Sequence, residues 1–460
     1  MPRLLSALVV GGALLAAAAP ALANGRPPGT STIHFKKGAE ATDIVAGMTF
    51  GLVTSHDSGA TWNWMCEDAV GYSGMYDPSY SYSSSGALFA TTFVGLKVMR
   101  DSCTFNAVPA FDTVAAGSAF VSVDMLGPDG TLHFAVSDPH DSDIYGSTDD
   151  GMTYPAALKS MPGQLNDWWQ SLAIAPSDGQ TVYLAGYRID SQSGGGKTYL
   201  LFRSTNGGGT WTALSTTGLA IVQNSAVEIA GIDPTDPTLV YARVKLSDDT
   251  MGDTLYRSTD AGANWTMIYT AAIPLDAFVV RYNHDLVLGT QTSGAYTSHD
   301  HGDNWTTLTG APHLNCLVEQ PGSHDLWGCT QNYGSSSVPS DNAGIMKTSD
   351  LATWTSVMRY QDIKAPVTCP SGTPQHDTCD VQNWCTLCAQ LGCTVTDRNC
   401  NTQNNPEAPA ATADAASPGK TSSSGCCDAG GGAPGASLLA AGIVGAAVMR
   451  RRRNRAKLSA

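Results

Sequence analysis

Short apolar stretches separated by Pro, Asp and Gly run through the middle of the chain. Residues 171–176 (SLAIAP) are followed by 181–184 (TVYL), and residues 229–233 (IAGID) are followed by 239–242 (LVYA). Stretches of this length, with β-branched and aromatic residues and a Pro- or Asp-containing connection, predict pairs of strands joined by hairpins. The 48 Gly and 24 Pro residues fit a chain with many tight turns. The pattern therefore predicts an all-β chain.

An eight-residue motif recurs along the same part of the chain. Its first copy, residues 55–62 (SHDSGATW), is matched at 147–154, 204–211, 258–265 and 298–305, and two further copies are one residue shorter. The Asp or Asn positions of the seven copies are Asp57, Asp101, Asp149, Asn206, Asp260, Asp300 and Asp350. Their mean spacing is (350 − 57)/6 = 48.8 residues, the size of a four-stranded propeller blade. We expect the weakest blades at the short copies.

The residue types of this motif are those that a tight turn requires. An Asp or Asn side chain accepts hydrogen bonds from backbone N–H groups two to four residues ahead, and the Gly adopts positive φ without strain. The closing Trp starts the next strand and buries a large ring. The motif resembles the Asp-box (BNR) repeat of sialidase-like and Vps10-like propellers, which lies between the third and fourth strands of each blade. The resemblance implies a seven-bladed β-propeller over residues 28–362, and it is nearly silent on function.

The N-terminus has the composition of a secretory signal peptide. Arg3 precedes an apolar run over residues 4–19, and Ala21-Leu22-Ala23 forms a small-residue cleavage site. This order predicts a signal peptide over residues 1–23 that is cleaved after Ala23, with an uncleaved membrane anchor as the alternative.

The C-terminus has three parts in a fixed order. Residues 401–425 are rich in Ala, Ser, Pro and Asn and predict a flexible linker, and residues 433–449 form an uncharged run that predicts a short transmembrane helix. Four arginines, starting at Arg450, follow the run and predict a cytoplasmic end. Cys426 and Cys427 lie between the linker and the helix.

This tail, residues 426–460, resembles the Myxo-CTERM sorting signal, in which a Cys precedes a short helix and an Arg cluster. The resemblance implies an inner-membrane anchor before processing, cleavage near Cys426 or Cys427 by a membrane sorting protease, and display at the cell surface or outer membrane. A plain stop-transfer anchor is the alternative and has the same topology. Both predict that residues 24–425 face outward.

Twelve cysteines suit an oxidising compartment. Half of them fall between residues 366 and 400: Cys369, Cys379, Cys385, Cys388, Cys393 and Cys400. This density predicts a small three-disulfide module with any of fifteen connectivities, one short helix over residues 380–391, and zinc binding through Cys385 and Cys388 as the alternative. Elsewhere, Cys316 and Cys329 flank a predicted hairpin and are expected to form a disulfide. Cys66 and Cys103 are then paired by elimination.

The charge of the chain excludes one class of partner. The chain has 25 basic and 40 acidic residues, but seven of the basic ones are Arg3 and six residues after position 449. Residues 24–427 therefore carry 18 basic and 39 acidic residues, a net charge of −21. Such a body repels the phosphate backbone, so we expect no nucleic-acid partner.

The resemblance implies that a ligand binds at the face opposite the Asp-boxes. The residues predicted to lie there and to contact a ligand are Asp167, Trp168, Trp169, Arg188, Arg243 and Arg281. The two Trp residues suit stacking on a sugar ring, but we expect at least one of them to pack between blades instead. Asp248, Asp249 and Asp253 could hold calcium through oxygen ligands, but the pattern favours a solvated acidic loop. We expect no other cofactor.

Two functions remain open. A sialidase needs three arginines on the substrate carboxylate and a Tyr–Glu pair, for which Tyr282 and Glu228 are the weak catalytic candidates. The Phe-Arg-Ile-Pro segment that supplies the first of a sialidase's arginines is absent from the chain. A β-glucanase-like enzyme needs two opposed carboxylates. Because the chain has 35 Asp residues, the sequence does not show whether two of them are opposed. The sequence favours a surface-displayed, non-catalytic propeller that binds a glycan or protein, with a glycoside hydrolase as the alternative.

Overall fold

The computed structural model describes residues 26–400, except 73–76, 93–94, 113–120, 127–129, 137–142, 156–166, 191–195, 223–224, 247–251, 291, 293, 336–337 and 394–399. The expected signal peptide, linker and sorting tail, including Cys426, Cys427 and the helix over residues 433–449, lie outside the described residues. Within the described residues, no helix combines the length and the apolar character that a membrane span requires.

The chain folds into a ring of small antiparallel sheets, and each blade consists of four consecutive strands. The six complete blades are blade 1 (β1 Thr30–Phe35, β2 Ile44–Met48, β3 Gly51–Ser55, β4 Asn63–Met65), blade 2 (β5 Tyr80–Tyr82, β6 Leu88–Thr92, β7 Gly95–Met99, β8 Phe105–Ala107), blade 3 (β12 Asp167–Ala175, β13 Asp178–Asp190, β14 Gly196–Ser204, β15 Thr212–Ala213), blade 4 (β16 Ala226–Ile232, β17 Val240–Lys245, β18 Thr254–Ser258, β19 Thr266–Thr270), blade 5 (β20 Ala277–Val280, β21 Leu286–Gly289, β22 Ala295–Ser298, β23 Thr306–Thr307) and blade 6 (β24 Cys316–Glu319, β25 Leu326–Cys329, β26 Ile345–Thr348, β27 Thr355–Met358).

The remaining elements are few and short. A three-stranded sheet between blades 2 and 3 contains β9 (Val121–Leu126), β10 (Leu132–Val136) and β11 (Ile144–Ser147). The other elements are α1 (Glu67–Val70), α2 (Pro109–Asp112), a 3₁₀ helix (Tyr360–Asp362), β28 (Ala365–Pro366), a π-helix (Gln375–Asn383) and α3 (Trp384–Leu391). The fold is an all-β propeller with a short helical segment after it.

The prediction of seven blades is wrong, because only six sheets of the described residues have the four strands of a complete blade. The incomplete sheet is β9–β11, whose copy of the motif ends in Tyr154 instead of Trp and is followed by undescribed residues 156–166. The blades with the short copies are complete. In the first of these, the Asp101 carboxylate accepts hydrogen bonds from the N–H groups of Cys103 and Thr104, so a turn shorter by one residue still closes.

The motif forms the turn between the third and fourth strands, and we call it the repeat turn. In the first copy the Asp57 carboxylate accepts a hydrogen bond from the Thr61 N–H at 2.8 Å, and the Ser55 hydroxyl accepts one from the Gly59 N–H at 2.9 Å. The same two bonds recur around Asp149, Asn206, Asp260 and Asp300. The side-chain bonds of the motif therefore stabilise the turn itself.

Both faces of a blade pack against neighbouring sheets. In blade 3, Val182 and Leu184 pack in one cluster with Ile144 of the three-stranded sheet, whereas Tyr183 and Ala185 pack in another cluster with residues of blade 4. Successive side chains of a strand point to opposite faces, so a strand buried on both faces needs an apolar run instead of an alternating pattern. This explains why the second strands, such as β21 and β25, are buried along their full length.

The two ends of the chain close the ring. The innermost strand β1 contacts β24 and β25 of blade 6 on one side and β5 of blade 2 on the other. After blade 6 the chain returns to blade 1, where β28 pairs in parallel with β4 as a fifth strand. Thr30 begins the first strand of the propeller and Tyr360 follows its last blade. Their hydroxyls lie 3.0 Å apart and share a hydrogen bond.

Two disulfides join the C-terminal segment to blades 1 and 2, and their pairing differs from the predicted one. Cys66 is bonded to Cys379 and Cys103 to Cys369, so the predicted Cys66–Cys103 pair is wrong and the expected three-disulfide module is not self-contained. Pairing by elimination failed because β28 carries the C-terminal segment back to blade 1. The other disulfides are Cys316–Cys329, which joins directly opposed residues of β24 and β25, Cys385–Cys400 and Cys388–Cys393. Cys385 and Cys388 are thus committed to disulfides instead of zinc.

The two closing disulfides are expected to be non-additive. Replacing both cysteines of the Cys66–Cys379 pair by Ser leaves Cys103–Cys369 in place. With that second pair present, the Cys66–Cys379 bond closes a loop of only 313 − 266 = 47 positions, which are the separations from 66 to 103 and from 369 to 379. The chain-entropy relation predicts a loss of about 4 kcal/mol of unfolding free energy, and removal of both pairs is expected to cost about 1.5 kcal/mol more than the sum of the single removals. Denaturant unfolding measures this. Strict additivity, or intact Cys66–Cys103 in non-reducing peptide mapping, contradicts it.

The repeat turns predict how stability responds to acid. The hydrogen bond from the Thr153 side chain, followed by those from Ser147 and the backbone, lowers the pKa of Asp149 from 3.8 to about 2. A carboxylate with a lowered folded-state pKa stabilises the fold above pH 4, and this contribution is lost as the pH falls from about 4 through 2. Asp149→Asn is expected to remove that part of the pH dependence.

The chain supplies a matched control for this prediction. Asn206 is a natural Asn in the same turn, with Thr210 in the place of Thr153, and its amide donates to the Thr210 hydroxyl. The reverse substitution, Asn206→Asp, is therefore expected to steepen the loss of stability between pH 4 and 2. Unfolding free energies at pH 2 to 5 measure both slopes, and identical slopes for the wild type and the two variants contradict the prediction.

Candidate functional site

The two ends of the propeller differ in which connections they carry. Because consecutive strands are antiparallel, the hairpin between strands one and two and the repeat turn lie at the same end of each blade. We call this the repeat-turn end. The connections between strands two and three, and between one blade and the next, lie at the other end, which we call the opposite end. The predicted ligand residues are distributed between the two.

Blade 3 differs from the other blades at the opposite end. Its second strand, β13, has 13 residues and is the longest described strand, and its third strand, β14, has nine. The two strands pair without a bulge from Val182 with Ser204 to Asp190 with Gly196. We call residues 186–190 and 196–200 the ribbon. It gives blade 3 a long two-stranded extension at this end.

Asp167 and Arg188 form an ion pair at the base of the ribbon. They are directly opposite each other on β12 and β13, and the guanidinium donates to both carboxylate oxygens, with Nε at 2.5 Å and Nη2 at 2.9 Å. Asp167 is buried, and its hydrogen bond raises the pKa of Arg188 above the ordinary value. The structure therefore brings these two predicted ligand residues together, but their charged groups are hydrogen-bonded to each other.

An aromatic row crosses the other face of the ribbon. Trp168 lies opposite Tyr187, which lies opposite Tyr199, so the three rings stand side by side on three neighbouring strands. The Lys197 ammonium lies 4.1 Å from the centre of the Tyr187 ring and donates to the Ser225 carbonyl of the next blade at 3.4 Å. Burial lowers the pKa of Lys197. Tyr187 is buried at 2% exposure beneath the Lys197 ammonium, whereas Trp168 and Tyr199 on either side are half-buried. The two outer rings and the cation are suited to stacking and cation–π contacts with a ligand.

Trp169 was predicted to contact the ligand, whereas Tyr187 and Tyr199 of the aromatic row were not. Trp169 is buried at 2% exposure and packs edge-on against Phe202, so it belongs to the core. The signal for the two tyrosines was present in the alternation of residues 183–189 (YLAGYRI) and 197–203 (KTYLLFR). It becomes readable only when the register of β13 and β14 is known.

A second charged cluster lies near the same end of blade 4. The Arg243 guanidinium is 2.5 Å from Glu228, the Lys245 ammonium is 3.5 Å from the other oxygen of that carboxylate, and Arg243 also donates to the Leu275 carbonyl. Burial raises the pKa of Glu228, but the charges of Arg243 and Lys245 outweigh burial and hold the pKa below its ordinary value. Glu228 is thus an ionised structural partner of two cations.

Asp253 completes this cluster. Its carboxylate accepts a hydrogen bond from the Leu275 N–H at 3.0 Å, and burial raises its pKa. The calcium hypothesis joined Asp253 to Asp248 and Asp249, which lie outside the described residues. In the described part of the chain, no three His, Cys, Asp or Glu side chains are grouped as a metal ion would require.

Arg281 and Tyr282 do not lie where they were expected. They belong to the hairpin between β20 and β21, which places them at the repeat-turn end. The Glu319 carboxylate accepts a hydrogen bond from Arg281 Nε at 3.0 Å and another from the Tyr282 N–H at 2.7 Å. The Tyr282 ring is half exposed and stacks on His324 with ring centres 3.6 Å apart. The prediction that Arg281 lies at the same end as Arg188 and Arg243 is therefore wrong, because Arg281 follows the first strand of its blade and the connection after a first strand lies at the repeat-turn end.

Comparisons with known proteins concern the fold. No family model and no curated protein matches the chain. Solved structures similar to it include an ancestral GH74 enzyme (14% identity, 69% of this chain and 46% of that chain, TM-score 0.47), YCF48 from Cyanidioschyzon merolae (14%, 65% and 92%, 0.42) and a Hadza microbial sialidase (14%, 63% and 71%, 0.37). The chain thus spans about half the length of the GH74 enzyme that it matches. The class that the fold defines is the β-propeller.

The Glu228 cluster makes a specific prediction about stability. Glu228 and Arg243 are 5% and 8% exposed, so Glu228→Gln removes the carboxylate that neutralises the buried Arg243 and the half-buried Lys245. Breaking a buried pair by removing one partner is expected to cost about 3 kcal/mol of unfolding free energy. The double variant Glu228→Gln/Arg243→Gln is expected to lose less than the sum of the two single variants. Denaturant unfolding decides, and an unchanged Glu228→Gln stability contradicts a buried structural pair.

Proposed function

We propose that this protein is an exported, non-catalytic propeller of the Asp-box type that binds a glycan or protein ligand at the end opposite the repeat turns. The observation that carries the proposal is the ribbon of blade 3, with the row of Trp168, Tyr187 and Tyr199 beside Lys197. No comparable extension is present in the other described blades, whose second and third strands have at most six residues.

The charges at this end support binding without catalysis. Asp167 is bound by Arg188, and Glu228 is bound by Arg243 and Lys245. A glycosidase needs two carboxyl groups that are free to reach one scissile bond, whereas these carboxylates are already saturated by cations. The ion pairs therefore support a structural role for these carboxylates.

One observation favours the alternative, a glycoside hydrolase. Burial raises the pKa of Asp253 while Arg243 and Lys245 hold that of Glu228 low, and such a split is typical of an acid paired with an ionised carboxylate. Against it, Asp253 and Glu228 are only 1% and 5% exposed. Substrate cannot reach them without movement of blade 4, so we place this function second.

Export and surface display are part of the proposal. They are supported by the composition of residues 1–23 and 426–460, and by five disulfides among the described residues, which suit an oxidising compartment. A sorting protease at the membrane is the proposed processing partner, acting near Cys426 or Cys427.

A paired binding and activity screen tests the proposed function. The purified full-length chain is applied to a glycan array and to arrayed extracellular proteins, and in parallel to fluorogenic sialosides and β-glucans. We expect binding without hydrolysis, and Trp168→Ala is expected to weaken the binding at least about tenfold because a stacking ring is removed. Tyr282→Ala is the matched control, since it removes an exposed aromatic ring at the repeat-turn end and is expected to leave binding unchanged.

Two outcomes contradict the proposal. Hydrolysis of a sialoside or β-glucan that is lost in Asp253→Asn supports the glycoside hydrolase instead. Binding that is lost in Tyr282→Ala and kept in Trp168→Ala moves the ligand to the repeat-turn end.

A further inference from the structure

The outer edge of the ribbon is open. β14 extends over residues 196–204, but its outer neighbour β15 pairs only with Phe202 and Arg203, and the next residue, Leu214, donates its N–H to the Leu201 carbonyl. Among the described residues, no backbone group is hydrogen-bonded to the outer edge of residues 196–200. Five consecutive residues of a regular strand therefore lack an outer neighbour.

The other blades cover this position. In blade 4, Thr254 at the start of the third strand is paired with Thr270, and in blade 6 Ile345 is paired with Met358. In blade 5 the Leu308 N–H donates to the Ala295 carbonyl, which is again the first residue of the third strand. In blades 1 and 2 the fourth strand, or the residue after it, reaches the second residue of the third strand. The open edge is thus a property of blade 3 among the six complete blades.

The direction of the unpaired backbone groups follows from the register. The N–H and C=O groups of alternate residues in a strand point to the same side. The Leu201 carbonyl points to the outer edge, where it accepts the hydrogen bond from Leu214. Because the β13–β14 ladder has no bulge, the N–H and C=O groups of Tyr199 and Lys197 point to the same outer edge. The edge thus offers two donors and two acceptors, spaced for an extended chain.

This edge lacks the features by which proteins protect exposed strands. Edge strands are normally shortened, bulged, or guarded by Pro or an outward Lys. Residues 196–204 contain no Pro, and their single Lys, Lys197, is folded back over the Tyr187 ring and onto the Ser225 carbonyl. Nearby, Tyr199 donates its hydroxyl to the carbonyl of Val222, whose side chain is 54% exposed.

We propose that the ribbon edge binds an extended peptide segment of a partner protein, which adds to blade 3 as a strand alongside residues 196–200. This inference rests on the proposed function and names its ligand class. Four backbone hydrogen bonds to Lys197 and Tyr199 supply the affinity, and contacts with Tyr199 and Val222 select apolar side chains at alternate positions of the peptide.

Charge decides between a partner and a second copy. The chain has a formal net charge of −15, so two copies repel each other at every distance within the screening length. The single charged side chain on residues 196–200 is a lysine. The favoured occupant is therefore a segment of another protein that carries no net negative charge, and not the same edge of a second molecule.

The test uses peptides whose backbone can be altered at alternate positions. An array of ten-residue peptides with alternating Thr/Val and polar residues is screened against the full-length chain, and the best binder is synthesised in two N-methylated forms. Methylation of the N–H groups that face β14 is expected to weaken binding at least about tenfold, because it removes hydrogen bonds and adds bulk at the edge. Methylation at the intervening positions is expected to change it less than about threefold.

A pair of variants supplies the second arm. Lys197→Pro removes an outward N–H and adds a ring at the edge, where Pro is compatible with an edge strand, and it is expected to abolish peptide binding. Lys197→Ala keeps the N–H and is expected to reduce binding far less. Thermal unfolding of both variants checks that the blade is intact, and the N-methylated peptides need no variant.

The outcomes separate this inference from the proposed function. Equal binding of the two N-methylated peptides, peptide binding by Lys197→Pro, or no peptide binding on the array overturns the strand addition. Glycan binding that depends on Trp168 and survives Lys197→Pro leaves the proposed function in place without it. Dimerisation of the chain that is lost in Lys197→Pro assigns the edge to a second copy instead.

Discussion

Closure of the ring is the constraint on which the rest of this structure depends. Every blade buries apolar side chains on both faces, so a blade at an open end would expose one of them to water. The first and last blades must therefore meet. They do so through β1 against β24 and β25, through the parallel pairing of β28 with β4, and through the hydroxyls of Thr30 and Tyr360.

The cysteines acquire their partners from this closure. The chain after blade 6 passes the outer strand of blade 1, so Cys369 and Cys379 reach Cys103 and Cys66 across 266 and 313 residues of sequence. Loops of that size give a disulfide its largest effect on the unfolded chain. The helical segment that follows packs Trp384 against Trp64 and so belongs to the same core as blade 1. The C-terminal segment is therefore packed against the propeller and joined to it by two disulfides.

The two ends of the propeller differ in how far their connections are constrained: the repeat turns fix the repeat-turn end, whereas the connections at the opposite end differ in length. At the repeat-turn end the polar side chains of the motif bond their own backbone, as Asp57 does, and Glu319 holds the hairpin of Arg281 and Tyr282. At the opposite end strand length is not constrained by the motif, and blade 3 uses that freedom for its ribbon. The Arg188–Asp167 pair joins the first two strands of blade 3 at the ribbon, and the Arg243–Glu228 pair joins the first two strands of blade 4.

Local chemistry is what the sequence by itself determined. The Asp, Gly and Trp positions of the motif predicted the turn at Asp57 and its copies, and the strands on either side, because a turn closes with groups only two to four residues apart. Contacts between distant segments were decided by the tertiary structure alone. The shortfall to six complete blades, the pairing of Cys66 with Cys379, the place of Arg281 at the repeat-turn end, and the row of Trp168, Tyr187 and Tyr199 all depend on strand register and on where the chain returns. A one-residue change of register moves a side chain to the other face, and no local pattern specifies which distant strand closes the ring.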